Sequence, residues 1–298
     1  MRLFARIYAP VLSRVLSPAG KQRLKSWRGS AQKLWADHFH AYTTKELRAT
    51  LVEMGIVKGD SILMHSAYRP TNGFQGKPQD VIDVVLDVIG KEGTLVMMSM
   101  AYESSTREYL RARPIFDVRR TPSRMGILTE LLRRRRGAVR SLSPTHPVIA
   151  FGEKANWIVA DHDHCRYPCG PDSPFEKMLQ LDSKMLFFDL PFIGFTFVHY
   201  IEHQIMEHVP FTLYESAPMT ALLRDYDGKD HQVSVYVFGE EAVRRRDVEP
   251  ITSVMTREGT ARWRRIGNTQ IVLAGMRDAL TTGRRLAAGG TLPFNMRA

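Results

Sequence analysis

Three histidine-bearing segments hold most of the chemistry open to this chain. His146 stands between Thr145 and Pro147, and the proline restricts the backbone before it, so the ring sits on a constrained loop. A histidine titrates near neutrality and suits proton removal from a nucleophile; the plainer alternative is a ring that only hydrogen-bonds its loop. His199 and Glu202 are spaced i, i+3 and share one helix face. Glu202 could fix a histidine tautomer or accept an ammonium group, or the two could be an ordinary surface pair. The same stretch, His199 to His203, also reads H-x-x-E-H, in which two histidines one turn apart bind zinc. So short a pattern arises easily by chance among ten histidines. His162, His164, Cys165 and Cys169 tempt in the same way, but four ligands in one short loop rarely close a tetrahedron, and a histidine-rich turn is the preferred reading.

These residues need a frame. Thr43 or Thr44 can cap a helix carrying Leu47, Leu51 and Met54 and ending near Gly55. Residues 61–65 form a short apolar strand, 80–89 a helix closed by Gly90, and 94–98 a second strand. Strand, helix, strand implies a parallel pair and an α/β class. Further helices are expected at 125–135, 197–207 and 271–286, and strands at 184–189 and 233–238. The run Arg133 to Arg136 reads as a solvated helix end, with phosphate binding as the alternative.

With 298 residues, 44% of them hydrophobic, the chain can bury a substantial core. Two close cysteines make no disulfide scaffold and fit a reducing, cytoplasmic setting. No run of about 18 apolar residues predicts a spanning helix, and Arg6 and Arg14 interrupt any signal-peptide core. The charge is uneven: residues 1–40 hold eight Lys or Arg against Asp37 alone, +7 of the formal +11. Apolar residues at 4, 7, 8, 11, 12 and 15 follow helical spacing, and a second basic helix is expected over 22–37. This arm, residues 1–42, could lie on an anionic membrane or pack on its own domain or a second subunit. Few aromatics are interleaved with its charges, which argues against nucleic acid.

Three blocks carry a family resemblance. They are Gly59 to Ser66; Pro122-Ser123-Arg124-Met125-Gly126 with Val139 to Val148; and Gly170 to Lys177 with Thr196 to Glu202. In order and spacing they resemble the aminoglycoside 3-N-acetyltransferase (antibiotic N-acetyltransferase) family from about Thr44 to the C-terminal helix. The resemblance implies an α/β/α sandwich over residues 43–298, acetyl-CoA as co-substrate, no metal, and acetylation of a primary amine. Amine attack on a thioester needs a base and donors for the developing oxyanion. On the matching positions it implies His146, Glu202 and His199 as catalytic residues. His65, Ser66, Ser123, Arg124, Met125 and Gly126 are the implied coenzyme contacts.

Some positions depart from the family pattern. Ala67 replaces a small hydroxyl residue after Ser66, Met98-Ser99-Met100 follows Met97 where Pro-Thr is usual, and Phe195-Thr196 replaces Asn-Thr. A polycationic aminoglycoside calls for an acidic cleft, for which Glu103, Asp117, Asp172, Asp189, Glu202 and Glu207 are candidates. The departures favour a different amine, such as a nucleotide- or glycan-linked amino sugar, whose anionic carrier suits a basic protein. The readings from other classes are a zinc hydrolase through His199, Glu202 and His203, and a non-catalytic membrane-surface binding protein.

Overall fold

The computed structural model describes residues 17–296. The amphipathic pattern expected over residues 3–16 lies outside them. Helix α1, Pro18–Phe39, starts with proline in its first turn and a Ser17 cap, so it begins before the expected residue 22. Thr43 caps α2, Thr44–Glu53, through a reciprocal box with Glu46.

The expected βαβ unit follows: β1 (Ser61–Ser66), α3 (Pro78–Ile89) and β2 (Thr94–Met98), with β1 and β2 parallel. The chain continues through α4 (Thr106–Arg111), β3 (Ile115–Asp117), α5 (Ile127–Arg133), β4 (Val139–Arg140), β5 (Val148–Gly152), α6 (Ala155–Val159) and α7 (Pro174–Gln180). Then come β6 (Lys184–Phe188), α8 (Val198–Gln204), a short 3-10 turn Met206–His208, β7 (Met219–Arg224), β8 (Asp230–Val235), α9 (Glu240–Arg245) and α10 (Glu249–Arg257). Last are β9 (Ala261–Ile266), β10 (Thr269–Gly275) and α11 (Met276–Ala288).

Seven strands form one sheet in the order β4-β5-β2-β1-β6-β10-β9, parallel at its centre and antiparallel on both flanks; β3, β7 and β8 form a smaller sheet. Alternation along the central strands feeds two cores. Ile62, Met64, Leu95 and Met97 face α2, α3 and α5. Leu63, Val96, Met185 and Phe187 face α6, α7, α8, α10 and α11. The result is the anticipated α/β/α sandwich.

One element is corrected. Residues 271–286 are not a single helix: Thr269–Gly275 is a buried strand, and the helix begins only at Met276. A strand paired on both sides is apolar on both faces, so it carries no alternation to separate it from a buried helix. The later strand lies at 230–235, not 233–238. The arginine run at the end of α5 is largely consumed by ion pairs: Arg133 and Arg134 bind Glu130, and Arg135 binds Asp83.

Candidate active site

His146 sits in the turn before β5, and that turn is tied down at several points. The Ser141 hydroxyl accepts from the Val148 amide at 2.9 Å, and the Ser99 amide donates to the Pro147 carbonyl at 2.7 Å. The Tyr102 hydroxyl donates to the Thr145 carbonyl at 2.6 Å. The His146 ring is buried, and its Nδ1 has no hydrogen-bond partner. A buried polar atom left unpaired is costly and calls for a partner, whether water or a ligand group.

Helix α8 brings its own histidine to this turn. The rings of His146 and His199 meet edge to face, 5.7 Å between centroids. One helical turn places His199 Nδ1 3.3 Å from Glu202 Oε2. Glu202 is 0% exposed. Its carboxylate is held in a two-pronged bond by Arg246, Nε to Oε1 at 2.6 Å and an Nη to Oε2 at 2.9 Å. Arg246 lies over the Phe238 ring at 4.8 Å, and Phe238 in turn packs on His199 at 4.9 Å. Tyr214 stacks on Phe238 and its hydroxyl meets His203 Nδ1 at 2.9 Å.

The electrostatics follow from this packing. Burial pushes the Glu202 carboxyl upward, but Arg246 and His199 outweigh it and hold the group below the usual carboxylate range. Burial, then Arg246, lowers His199 against the upward pull of Glu202. His146 is pushed well below the ordinary histidine value by burial first, then by His199, His162 and Arg246. Both rings are therefore neutral at pH 7 and able to accept a proton. With Nδ1–H donating to Glu202, His199 keeps its lone pair on Nε2.

The expected coenzyme contacts fall into two groups. Ser66 ends β1 and lies beside Gly126: a Cβ built on Gly126 would stand 4.0 Å from the Ser66 carbonyl oxygen. Gly126 has φ +98°, and the Ser123 hydroxyl accepts from the Met125 amide at 3.2 Å, so Ser123 to Gly126 is a shaped turn leading into α5. The Arg124 amide ties this turn to the Met100 carbonyl at 2.8 Å, leaving the side chain exposed, while Met125 packs on the core. His65 differs: its ring is buried, stacked on Phe187 at 4.7 Å, and burial lowers it to about 3.

The two metal-like patterns are otherwise engaged. His199 turns to Glu202 and His203 to Tyr214. His162 bonds the Ser141 hydroxyl and the Pro168 carbonyl, both at 2.8 Å, and Cys165 and Cys169 are free thiols. Among the described residues no group of three or more His, Cys, Asp or Glu is placed to hold a metal ion. Three of the six candidate carboxylates are already engaged: Asp189 is buried against Arg69, Glu202 is held by Arg246, and Asp117 accepts the Arg119 and Arg120 amides.

Sequence reading missed Arg246. It ends the run Arg244-Arg245-Arg246, in which only the tertiary contacts distinguish an inward arginine. It also missed Phe238, Tyr214 and the internal Arg140, whose guanidinium donates to the Ser99 and Thr121 carbonyls and lies 4.4 Å over Phe116.

Known proteins are similar to this chain in sequence and in fold. The aminoglycoside 3-N-acetyltransferase family model matches residues 63–287, which include every candidate site residue. Aminoglycoside N(3)-acetyltransferase VII of Streptomyces paromomycinus is 30% identical over 173 residues, covering 54% of this chain and 60% of that protein. The chain spans the same 60% of the related protein VIII of Streptomyces fradiae. Aminoglycoside N(3)-acetyltransferase IX of Micromonospora chalcea is 26% identical over 76% of this chain and 86% of its own length. In three dimensions the chain is similar to the crystal structure of aminoglycoside acetyltransferase AAC(3)-Xa, with a TM-score of 0.73 at 24% identity, covering 89% of this chain and 99% of that one. It is also similar to the AAC-IIIb binary complex with CoASH, TM-score 0.70 at 23% identity, covering 86% and 99%.

Proposed function

We propose a function from one premise: this chain belongs to the aminoglycoside 3-N-acetyltransferase family. The function is transfer of an acetyl group from acetyl-CoA to a primary amine of an aminoglycoside or amino sugar. The observation that carries it is the His199–Glu202 pair, whose histidine meets the ring of His146, itself carrying an unpaired buried nitrogen.

His199 is the base. Glu202 fixes its tautomer and stabilises the charge it gains, so the ring can take a proton from the neutral acceptor amine as its nitrogen attacks the thioester carbonyl; the C–S bond then breaks, and the protonated ring returns that proton to sulfur so that coenzyme A leaves as the free thiol. His146 lines the same space. Its unpaired Nδ1 can hydrogen-bond the acceptor, or carry its own proton as a donor toward the developing oxyanion. This assignment moves the base from His146, the sequence-derived choice, to His199, because the carboxylate that orients a histidine is beside His199.

Acetyl-CoA supplies the activated acyl group, and Ser66 with the Ser123–Gly126 turn would hold it. Gly126 lacks the Cβ that would narrow the space beside the Ser66 carbonyl, which suits a close backbone approach. AAC-IIIb, similar in fold, is described as a binary complex with CoASH.

A second reading concerns the acceptor alone. Both buried carboxylates among the six candidates, Asp189 and Glu202, are matched by arginines. These two are thus not free to meet a polycation, and this supports a nucleotide- or glycan-linked amino sugar as the acceptor. Free-thiol release from acetyl-CoA, measured over aminoglycosides, simple amino sugars and nucleotide-linked amino sugars, tests both readings. Release stimulated by an aminoglycoside favours the first, and release confined to carrier-linked sugars favours the second. No amine-stimulated release from any of them removes the acetyltransferase assignment.

A further inference from the structure

Helix α1 presents an apolar face that the rest of the described chain does not cover. Trp27, Leu34, Trp35 and Phe39 are 67%, 71%, 52% and 64% exposed. At 100° per residue these four, with the exposed Ala31 and His38 between them, occupy one sector of about 140°. Ala36, the one buried residue among the described side chains of α1, points away from that sector and anchors the last turn to the domain. Trp35 rests on Phe39 at 5.7 Å and on His40 at 4.5 Å, so the aromatics form one patch rather than scattered exposures. Such a contiguous patch marks an interaction surface.

Its chemistry selects the partner. Residues 1–40 carry eight Lys or Arg and a single Asp, so the apolar face belongs to a strongly cationic segment. Trp27, Trp35 and Phe39 stand among the basic residues of this helix, more aromatics than expected for the arm, and they match the membrane–water interface, where aromatic rings settle at headgroup depth. A helix–helix seam between two copies would favour a narrow line of aliphatic side chains instead. We infer that the face formed by Trp27, Leu34, Trp35 and Phe39 docks α1 on an anionic lipid surface, holding the catalytic domain against the membrane. No described helix is long and apolar enough to cross a membrane.

Co-sedimentation of the full-length protein with vesicles tests this. Phosphatidylglycerol–phosphatidylcholine vesicles should capture it at low salt, phosphatidylcholine alone much less, and added salt should release it. The variant Trp27→Ser/Trp35→Ser/Phe39→Ser should lose about tenfold or more in vesicle affinity, since burying even one aromatic ring supplies that much. Its melting temperature and acetyl transfer should stay unchanged, because none of the three side chains is in the core or the site. Failure of the wild type to bind anionic vesicles at low salt overturns the inference. So does a variant that binds as well as wild type, or a wild-type dimer that the variant converts to monomer, which would assign the face to a second copy.

Discussion

Arg246 and Glu202 are bound through two hydrogen bonds of 2.6 and 2.9 Å, and the oxygen that takes the longer one also faces His199 Nδ1 at 3.3 Å. One carboxylate thus links a loop after α9 to the histidine of α8. Its ionised state depends on the arginine, and the histidine's orientation depends on that ionised state. The first prediction concerns the dyad. His199→Ala should lower kcat by about 10² to 10⁴-fold, the range for a lost general base, with acetyl-CoA affinity retained. Glu202→Gln keeps the shape but removes the charge that stabilises the protonated ring, and should lower kcat by a smaller factor. His146→Ala should also impair transfer. A thiol-release assay beside calorimetric acetyl-CoA binding separates these effects. Full turnover in His199→Ala would return the base role to His146.

The second prediction is a pH profile. Arg246, after burial, helps to hold His199 below the ordinary histidine value. The acid limb of kcat/KM therefore lies below about pH 6.5, the ordinary histidine value. Arg246→Gln removes the cation, so the His199 pKa rises and the limb moves to higher pH. The same acceptor is used for both proteins, so its own titration cancels in the comparison. Breaking a buried ion pair by removing one partner costs about 3 to 5 kcal/mol, so a lowered melting temperature is also expected. Arg246→Lys keeps the charge and should restore the limb more than it restores the melt.

The third prediction tests the coenzyme turn. Gly126 has φ +98°, where an L side chain is strained, and it lies beside the Ser66 carbonyl. Gly126→Ala should raise KM for acetyl-CoA more than it lowers kcat, with a loss of stability on the order of 1 kcal/mol. Steady-state kinetics varied in acetyl-CoA reads the split, and an unchanged KM would remove this turn from the coenzyme site.

The fourth prediction concerns acid. Burial, against the opposing bond to Pro168, lowers His162 to about 4, and burial lowers His65 to about 3. Both bind protons more readily when unfolded, so stability falls as pH drops below about 6.5, and His162 keeps contributing until about pH 4. For His162 alone the loss is on the order of 3 kcal/mol. Protonation would also force a donor on each ring nitrogen where Ser141 now donates to one of them. Urea melts between pH 7 and 4 should show the decline, and His162→Gln should flatten it. Equal slopes in both proteins would assign acid sensitivity elsewhere.

The sequence by itself determined the α/β class and the parts of the site that are local, and its family resemblance implied the sandwich. The Thr43–Glu46 cap, the amphipathic α3 and the short apolar runs of β1 and β2, bounded by turn residues, are decided by residues a few positions apart, so the local pattern reveals them. His199 and Glu202 are legible for the same reason, since one helical turn brings them together. Strand β10 was not: Ile271 to Ala274 are buried between neighbours on both sides, and Gly275 joins them directly to α11, so one apolar run hides two elements. That His146 joins His199 and Glu202 was decided only in three dimensions, when the turn before β5 came to rest edge-on to α8. Arg246 is the clearest case. Arg245 spends its charge on Glu241 at the surface, while its neighbour reaches across 44 positions to a carboxylate that no water can solvate. An unpaired charge on Glu202 would be too costly to bury, and tertiary packing alone chose the cation that neutralises it.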